Sequence, residues 1–322
     1  MASHAYLLTR LLTYKMPFIS FTPHIHTHRA NRQIPKYNHT LLSGPAYPYG
    51  YWVEVNWVVP NDVYLIHVVC IGGGQGGGIS VQYNVRGTAY GGGGGGFAWR
   101  TNLRVTPGQS IPVTVGAGGN AKGASNASDP IGNPGGTTQF DYSNPDPARR
   151  IRAYGGGTNW WGASGAIGGE WEGQGGGNGG SGGGPSQGGG GGGGAGGPFG
   201  NGGWAAWTNT VAGGSGTGGG AGGGGSRVAM QQNDYQYQGG YGGGTDIWNT
   251  GLINGLGGAG YVSGGNADIG TDGQNVGGGS IHGRGGYGRV TPYQGNYYYY
   301  GSPGSNGCIG IFYNRYYPLF IT

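Results

Sequence analysis

Unbroken glycine runs, Gly91 to Gly96 and Gly188 to Gly194, constrain this chain more than any other feature. Residues without a Cβ atom build no side-chain core, and each Gly in a helix costs about 1 kcal/mol relative to Ala. With 87 Gly among 322 residues, an ordinary helix-rich enzyme fold is excluded. Collagen is excluded as well, because the runs break any G-X-Y register. A charged disordered tail does not fit either, since only 8% of residues are charged while 24 Tyr and 9 Trp are scattered along the chain. One arrangement orders such a sequence: extended helices of three residues per turn, packed until backbone amides bond to neighbouring helices, with aromatics capping the bundle at its turns.

The chain divides into zones. Residues 1–50 contain Pro17, Pro23, Pro35, Pro45 and Pro48 and read as an extended arm. The arm carries Arg10, Lys15, Arg29, Arg32 and Lys36 with no acid, so the whole net charge of +5 resides there and residues 51–322 are neutral. Such an arm is expected to anchor the chain to partner proteins; five dispersed bases are a weak signal for nucleic acid. No apolar stretch approaches the ~18 residues of a membrane-spanning helix.

Residues 51–154 read as β structure. Val53, Val55, Trp57 and Val59 alternate with polar residues, which predicts a half-buried strand. Pro60-Asn61-Asp62 predicts a turn, and the apolar run VYLIHVVCI a strand buried on both faces. In FAWRTNLRV, period two places Phe97, Trp99, Thr101, Leu103 and Val105 on one face. Thr106-Pro107-Gly108-Gln109 turns the chain into SIPVTV, and Thr138 to Tyr142 and Ile151 to Tyr154 are short further strands. Residues 155–285 form a glycine-rich excursion with isolated aromatics, and residues 308–321 return to β. The expected fold is all-β: one β-sandwich-like domain over 51–322, its first and last strands paired, with a large insertion of extended polyglycine-type segments.

Catalytic chemistry has little to rest on. Glu170 and Glu172 flank Trp171 and are the one carboxylate pair whose spacing suits glycoside cleavage. Two solvated loop acids beside an exposed Trp account for them better, and the chain reads as a non-enzyme without a cofactor. His24, His26 and His28 could share a strand face as a metal site, but no carboxylate or Cys supports them, and no metal is expected. Cys70 and Cys308 lie in apolar segments and read as buried hydrophobes that strand pairing could bring together. Exposed aromatics are the better binding candidates, because rigid rings on glycine-spaced loops give contact area at little entropic cost. These are Trp160, Trp161, Trp171, Trp204, Trp207, Trp248 and the run Tyr297, Tyr298, Tyr299 and Tyr300.

The order of these elements resembles a known family. Val68 to Gly74, Gly91 to Phe97, Val105 to Gly119 with its VTPGQ and VTVGAGG pieces, and Gly307 to Tyr313 are similar to the glycine-rich domain of bacteriophage tail fibres and other virion appendage proteins. The similarity spans about 51–315 and leaves the arm outside. It implies a structural protein of the virus particle, anchored to other virion proteins by residues 1–50, assembled as a symmetric homo-oligomer, and displaying a β-domain toward a host-surface glycan or protein. A capsid decoration or fibre protein that binds no receptor is the alternative. A polysaccharide depolymerase using Glu170 and Glu172 is a third.

Overall fold

Apolar alternation in the β zone and the closing strand produces two antiparallel sheets packed face to face. The computed structural model describes residues 38–43, 53–80, 88–122, 132–157, 166–183, 190–206, 212–224, 237–249, 251, 253–256, 272–277, 281–293 and 296–313. One sheet contains β1 (Asn38–Ser43), β3 (Leu65–Ile71), β6 (Phe97–Arg104), β11 (Gly175–Gly177) and β15 (Cys308–Tyr313), in the order β1-β15-β3-β6-β11. The other contains β2 (Val53–Val58), β7 (Ser110–Val115), β8 (Thr138–Phe140), β9 (Ile151–Ala153) and β10 (Trp171–Glu172), in the order β10-β9-β8-β7-β2. Outside the sandwich lie the hairpin of β4 (Gly78–Ser80) and β5 (Thr88–Tyr90), and the ribbon of β12 (Tyr237–Gln238), β13 (Gly288–Tyr293) and β14 (Asn296–Gly301). The described residues include no α-, 3₁₀- or π-helix. The last strand closes the first sheet, but not on the first strand expected for residues 51–322. Instead β2 pairs with β7 in the other sheet, and β15 lies between β3 and β1, the latter formed by residues 38–43 of the basic arm, outside the expected domain.

Trp57 and Val59, Ile66 and Val68, Ile111 and Val113, Phe140, Ile151, Ile309 and Ile311 fill the space between the sheets. Each side chain of this size contributes about 1.5–3 kcal/mol by leaving water. A second cluster covers the opposite face of the β15-β3-β6 sheet, where Val69, Ile71, Phe97, Cys308 and Phe312 pack against Ile247. Burial on both faces is why β3 and β15 read as continuous apolar runs. It also separates the thiols. Cys70 faces the inter-sheet core and Cys308 the outer cluster, so both are free and buried although their strands pair.

The single face expected for FAWRTNLRV is corrected by a bulge. Phe97 and Trp99 belong to the outer cluster, whereas Leu103 and Val105 belong to the inter-sheet core. Between them the register slips, with Val68 opposite Arg100 and Ile66 opposite Leu103. Asn102 takes the extra position at φ 55°, and its N–H donates to His67 Nδ1 at 3.3 Å.

Beyond one end of the sandwich the strands run directly into glycine. Residues 72–77 follow β3 and donate with a period of three: Gly72 and Gln75 to the carbonyls of Gly96 and Gly93, Gly73 and Gly76 to those of Gly136 and Asn133, Gly74 and Gly77 to those of Ser305 and Ser302. That period is the repeat of an extended three-fold helix, which has no internal hydrogen bonds and offers every amide to its neighbours. Segment 192–197 repeats the scheme toward Gly240 and Gly243, Gly92 and Gly95, and Gly203 and Gly200. Helices lie so close that a Cβ on Gly94 would overlap the Gly194 carbonyl, and one on Gly91 the Gly191 carbonyl. A net gain of about 0.5–1.5 kcal/mol per hydrogen bond at best matches the ~1–2 kcal/mol cost of ordering each backbone unit. The sandwich core, into which these helices are covalently continued, therefore supplies the stability.

Candidate functional site

Chain direction in the bundle follows from its hydrogen bonds. Because β3 leads into Gly72, residues 72–78 run away from the sheets, and the antiparallel segment 91–96 runs back into β6. Segments 116–122, 154–157, 178–183, 202–206, 220–224 and 282–286 likewise lead away. Segments 132–137, 166–170, 191–197, 212–216, 240–244 and 302–307 lead back. Neighbours with the same direction confirm the alternation: Gly203 and Ala206 donate to Ala221 and Gly224 in parallel. The described chain consequently leaves and re-enters the bundle at one pole, at residues 80 and 88, 122 and 132, 157 and 166, 183 and 190, 206 and 212, and 224 and 237. Over residues 72–78 alone, a rise of about 3.1 Å per residue carries that pole roughly 19 Å from the sheets.

Aromatic and charged side chains gather on the way to this pole. Tyr241 and Tyr287 meet edge to face with centroids 4.5 Å apart, and the Arg284 guanidinium lies 4.2 Å from the Tyr241 ring centroid. The Tyr241 N–H donates to Asp272 Oδ1 at 2.8 Å. Tyr287 is tied to the returning chain by its N–H to Ser302 Oγ at 2.7 Å and by its carbonyl, which accepts from Ser302 N–H at 2.8 Å. Burial raises the Tyr287 hydroxyl pKa, Tyr241 raises it further, and the charge of Arg289 opposes both. From Tyr287 the chain enters the β13-β14 ribbon, which packs on the β4-β5 hairpin.

The structure divides the predicted aromatics. Tyr297 to Tyr300 line β14 opposite Pro292 to Arg289, at the pole, and Tyr300 is 48% exposed. Trp204, also 48% exposed, lies on the flank of an outgoing segment with its indole against Gly214. Trp171 is 36% exposed but sits at the sandwich, its ring over Gly176. Trp248 turns inward onto Phe312 at 5.4 Å and joins the outer core cluster. Trp160, Trp161 and Trp207 lie outside the described residues, within connections whose described ends are at the pole.

Sequence reasoning passed over Arg284, Tyr241 and Tyr287. A base within GRGGYG between glycine segments was the available signal, but pairing it with Tyr241 requires the bundle. Trp99 and Phe199 were also passed over as a pair: they meet at 6.0 Å, with the Trp99 indole N–H donating to the Pro198 carbonyl at 2.8 Å. Of the predicted acids, Glu172 forms ion pairs with Arg150 and Arg152, and Glu170 is exposed. Among the described residues no group of three or more His, Cys, Asp or Glu could hold a metal, and His24, His26 and His28 lie outside those residues. No described helix is long and apolar enough to cross a membrane.

Comparison with protein families matches residues 52–317 to a family described as a glycine-rich domain. No curated protein matches the chain.

Proposed function

This chain belongs to the glycine-rich domain family, and on that footing we propose that it is a non-enzymatic structural protein of a virus particle, of tail-fibre or appendage type. Its bundle pole contacts a host-surface glycan or protein. Residues 1–50 hold it to other virion proteins, and it assembles as a symmetric homo-oligomer on a symmetric socket. The observation that carries this reading is that successive described segments leave and re-enter a closely packed, glycine-rich bundle at one pole. Rigid scaffolds that present several connections together are the usual means of positioning recognition residues. Trp160, Trp161 and Trp207 in those connections, and Tyr297 to Tyr300 on the ribbon, supply amphipathic rings suited to sugars or protein surfaces.

Replacing Trp160 and Trp161 together by Ala tests the reading. Particles are expected to assemble normally and to adsorb to host cells at least about tenfold less, the loss of one good aromatic contact. Normal adsorption with defective assembly would instead make the chain a decoration or fibre protein. Removal of polysaccharide by wild type, lost in Glu170→Gln, would make it a depolymerase.

A further inference from the structure

At the edge of the sandwich, remote from the bundle pole, two arginines share one carboxylate. Ile151 and Ala153 point into the core, which turns their sequence neighbours Arg150 and Arg152 outward together. Register places Arg152 opposite Glu172 of β10. The Glu172 carboxylate then divides itself, with Oε1 3.7 Å from Arg150 Nε and Oε2 3.6 Å from Arg152 Nη1. Arg100 lies on β6, the strand of the other sheet that neighbours β9 and β10; burial lowers its pKa, while the charge of Asp146 and then that of Glu172 raise it.

Two other acids nearby accept hydrogen bonds of their own. Asp141 Oδ2 accepts from Arg149 Nε at 3.0 Å, and Arg149 Nη1 also donates to the Arg104 carbonyl at 2.8 Å. Asp146 Oδ1 accepts from the Ala148 N–H at 2.8 Å. One carboxylate is therefore shared by two guanidinium groups, at distances too long for hydrogen bonds. The Nε atoms of Arg100, Arg150 and Arg152 are buried and have no hydrogen-bond partner among the described protein atoms. Arg152 Nη2 reaches the Tyr142 carbonyl only at 3.4 Å. Buried donors without partners are costly in native proteins, and each one calls for an explanation.

We infer that Arg150 and Arg152 form a binding site for a phosphate- or sulfate-type oxyanion carried as an ester on a saccharide, with Glu172 as an internal competitor that the ligand displaces. Guanidinium forks match the spacing of such oxygens, and the excess positive charge favours a dianion. Trp171, next to Glu172 and partly exposed, offers a ring face beside the charge for the sugar. The site stands apart from the pole, so its success or failure is independent of the adhesin reading.

Titration calorimetry of the full chain at low salt tests the inference, with inorganic phosphate, a hexose 6-phosphate and the plain hexose as probes. The two phosphates are expected to bind saturably and the plain hexose not to bind. Tighter binding of the ester than of inorganic phosphate identifies a saccharide source; equal binding supports the oxyanion site but assigns it to free phosphate. The double variant R150Q/R152Q is expected to lose roughly tenfold or more in affinity. Glu172→Gln removes the competitor and is expected to tighten binding several-fold, an effect a merely structural ion pair would not produce. Absence of saturable phosphate binding by wild type, unchanged binding by a folded R150Q/R152Q, or weakened binding by a folded Glu172→Gln would each overturn it.

Discussion

Gln75 interrupts the glycine run that follows β3, and replacing it by Leu tests how the bundle is held together. Its side chain is 1% exposed and takes the place of a peptide unit: Nε2 donates to the Gly132 carbonyl at 3.1 Å and Oε1 accepts from the Gly93 N–H at 3.1 Å. The third glycine segment that would serve Gly93 turns away at Gly157, whose positive φ of 79° lets the chain leave just where a Cβ would strike the Gln75 amide. Leu has nearly the same volume but no amide, so both backbone groups lose this partner in a dry interior. At about 1–3 kcal/mol for each stranded group, Gln75→Leu is expected to cost roughly 2–6 kcal/mol. Urea unfolding followed by Trp fluorescence reads this as a lower midpoint at unchanged slope. Gln75→Glu keeps the acceptor for Gly93 but sets a carboxylate against the Gly132 carbonyl. It should therefore be worse at neutral pH and partly recover in mild acid, where the protonated group donates. A Gln75→Leu variant within about 0.5 kcal/mol of wild type, the ordinary scatter of surface substitutions, would refute the peptide-surrogate role.

Other consequences follow from the same packing. Gly94→Ala should prevent folding or lower the unfolding midpoint drastically, because its Cβ meets the Gly194 backbone; Gly108→Ala, in open space at φ 78°, should cost only about 1–2 kcal/mol of left-handed strain. Burial lowers the pKa of His67 and His282 to about 4, so both are neutral in the fold. The unfolded chain binds those protons first: stability is complete above about pH 6.5 and is lost as pH falls toward 4, by up to about 1.4 kcal/mol per pH unit per group, and His67→Gln should flatten that slope in urea titrations. Burial raises the pKa of both Cys70 and Cys308, so a thiol reagent should label neither in the native protein and both after denaturation, with or without prior reductant.

Strands were legible wherever one local signal decided them. Trp57 and Val59 point inward as their alternation predicts, and the 106–109 turn closes by the Gln109 N–H to the Thr106 carbonyl at 2.9 Å around Gly108. The extended glycine helices were legible as a class because no other structure orders so many residues without side chains. Their partners were not. Which carbonyl receives Gly73 or Gly74 depends on segments far apart in the chain, and identical residues carry no register information. For the same reason nothing local marked Gln75 as a peptide substitute. The bulge at Asn102 inverted the faces of Leu103 and Val105 because His67 on the neighbouring strand accepts its N–H. Among the aromatics, Trp204 and Trp248 look alike in sequence. Only the packing of residues 245–249 over β15 sends Trp248 inward and leaves Trp204 on the flank.

The two poles of the molecule allow a direct test of the proposed host contact. The Asn61-Asp62 turn is exposed at the pole opposite the bundle, whereas β4 ends at residue 80 and β5 begins at residue 88 at the bundle pole. An identical bulky insertion at each position, in the otherwise intact chain, can be compared for binding to host-type cells after both proteins are shown to unfold at the wild-type midpoint. The account predicts that the insertion between β4 and β5 abolishes cell binding and the one at Asn61-Asp62 leaves it intact. Undiminished binding with the bundle pole blocked would contradict it.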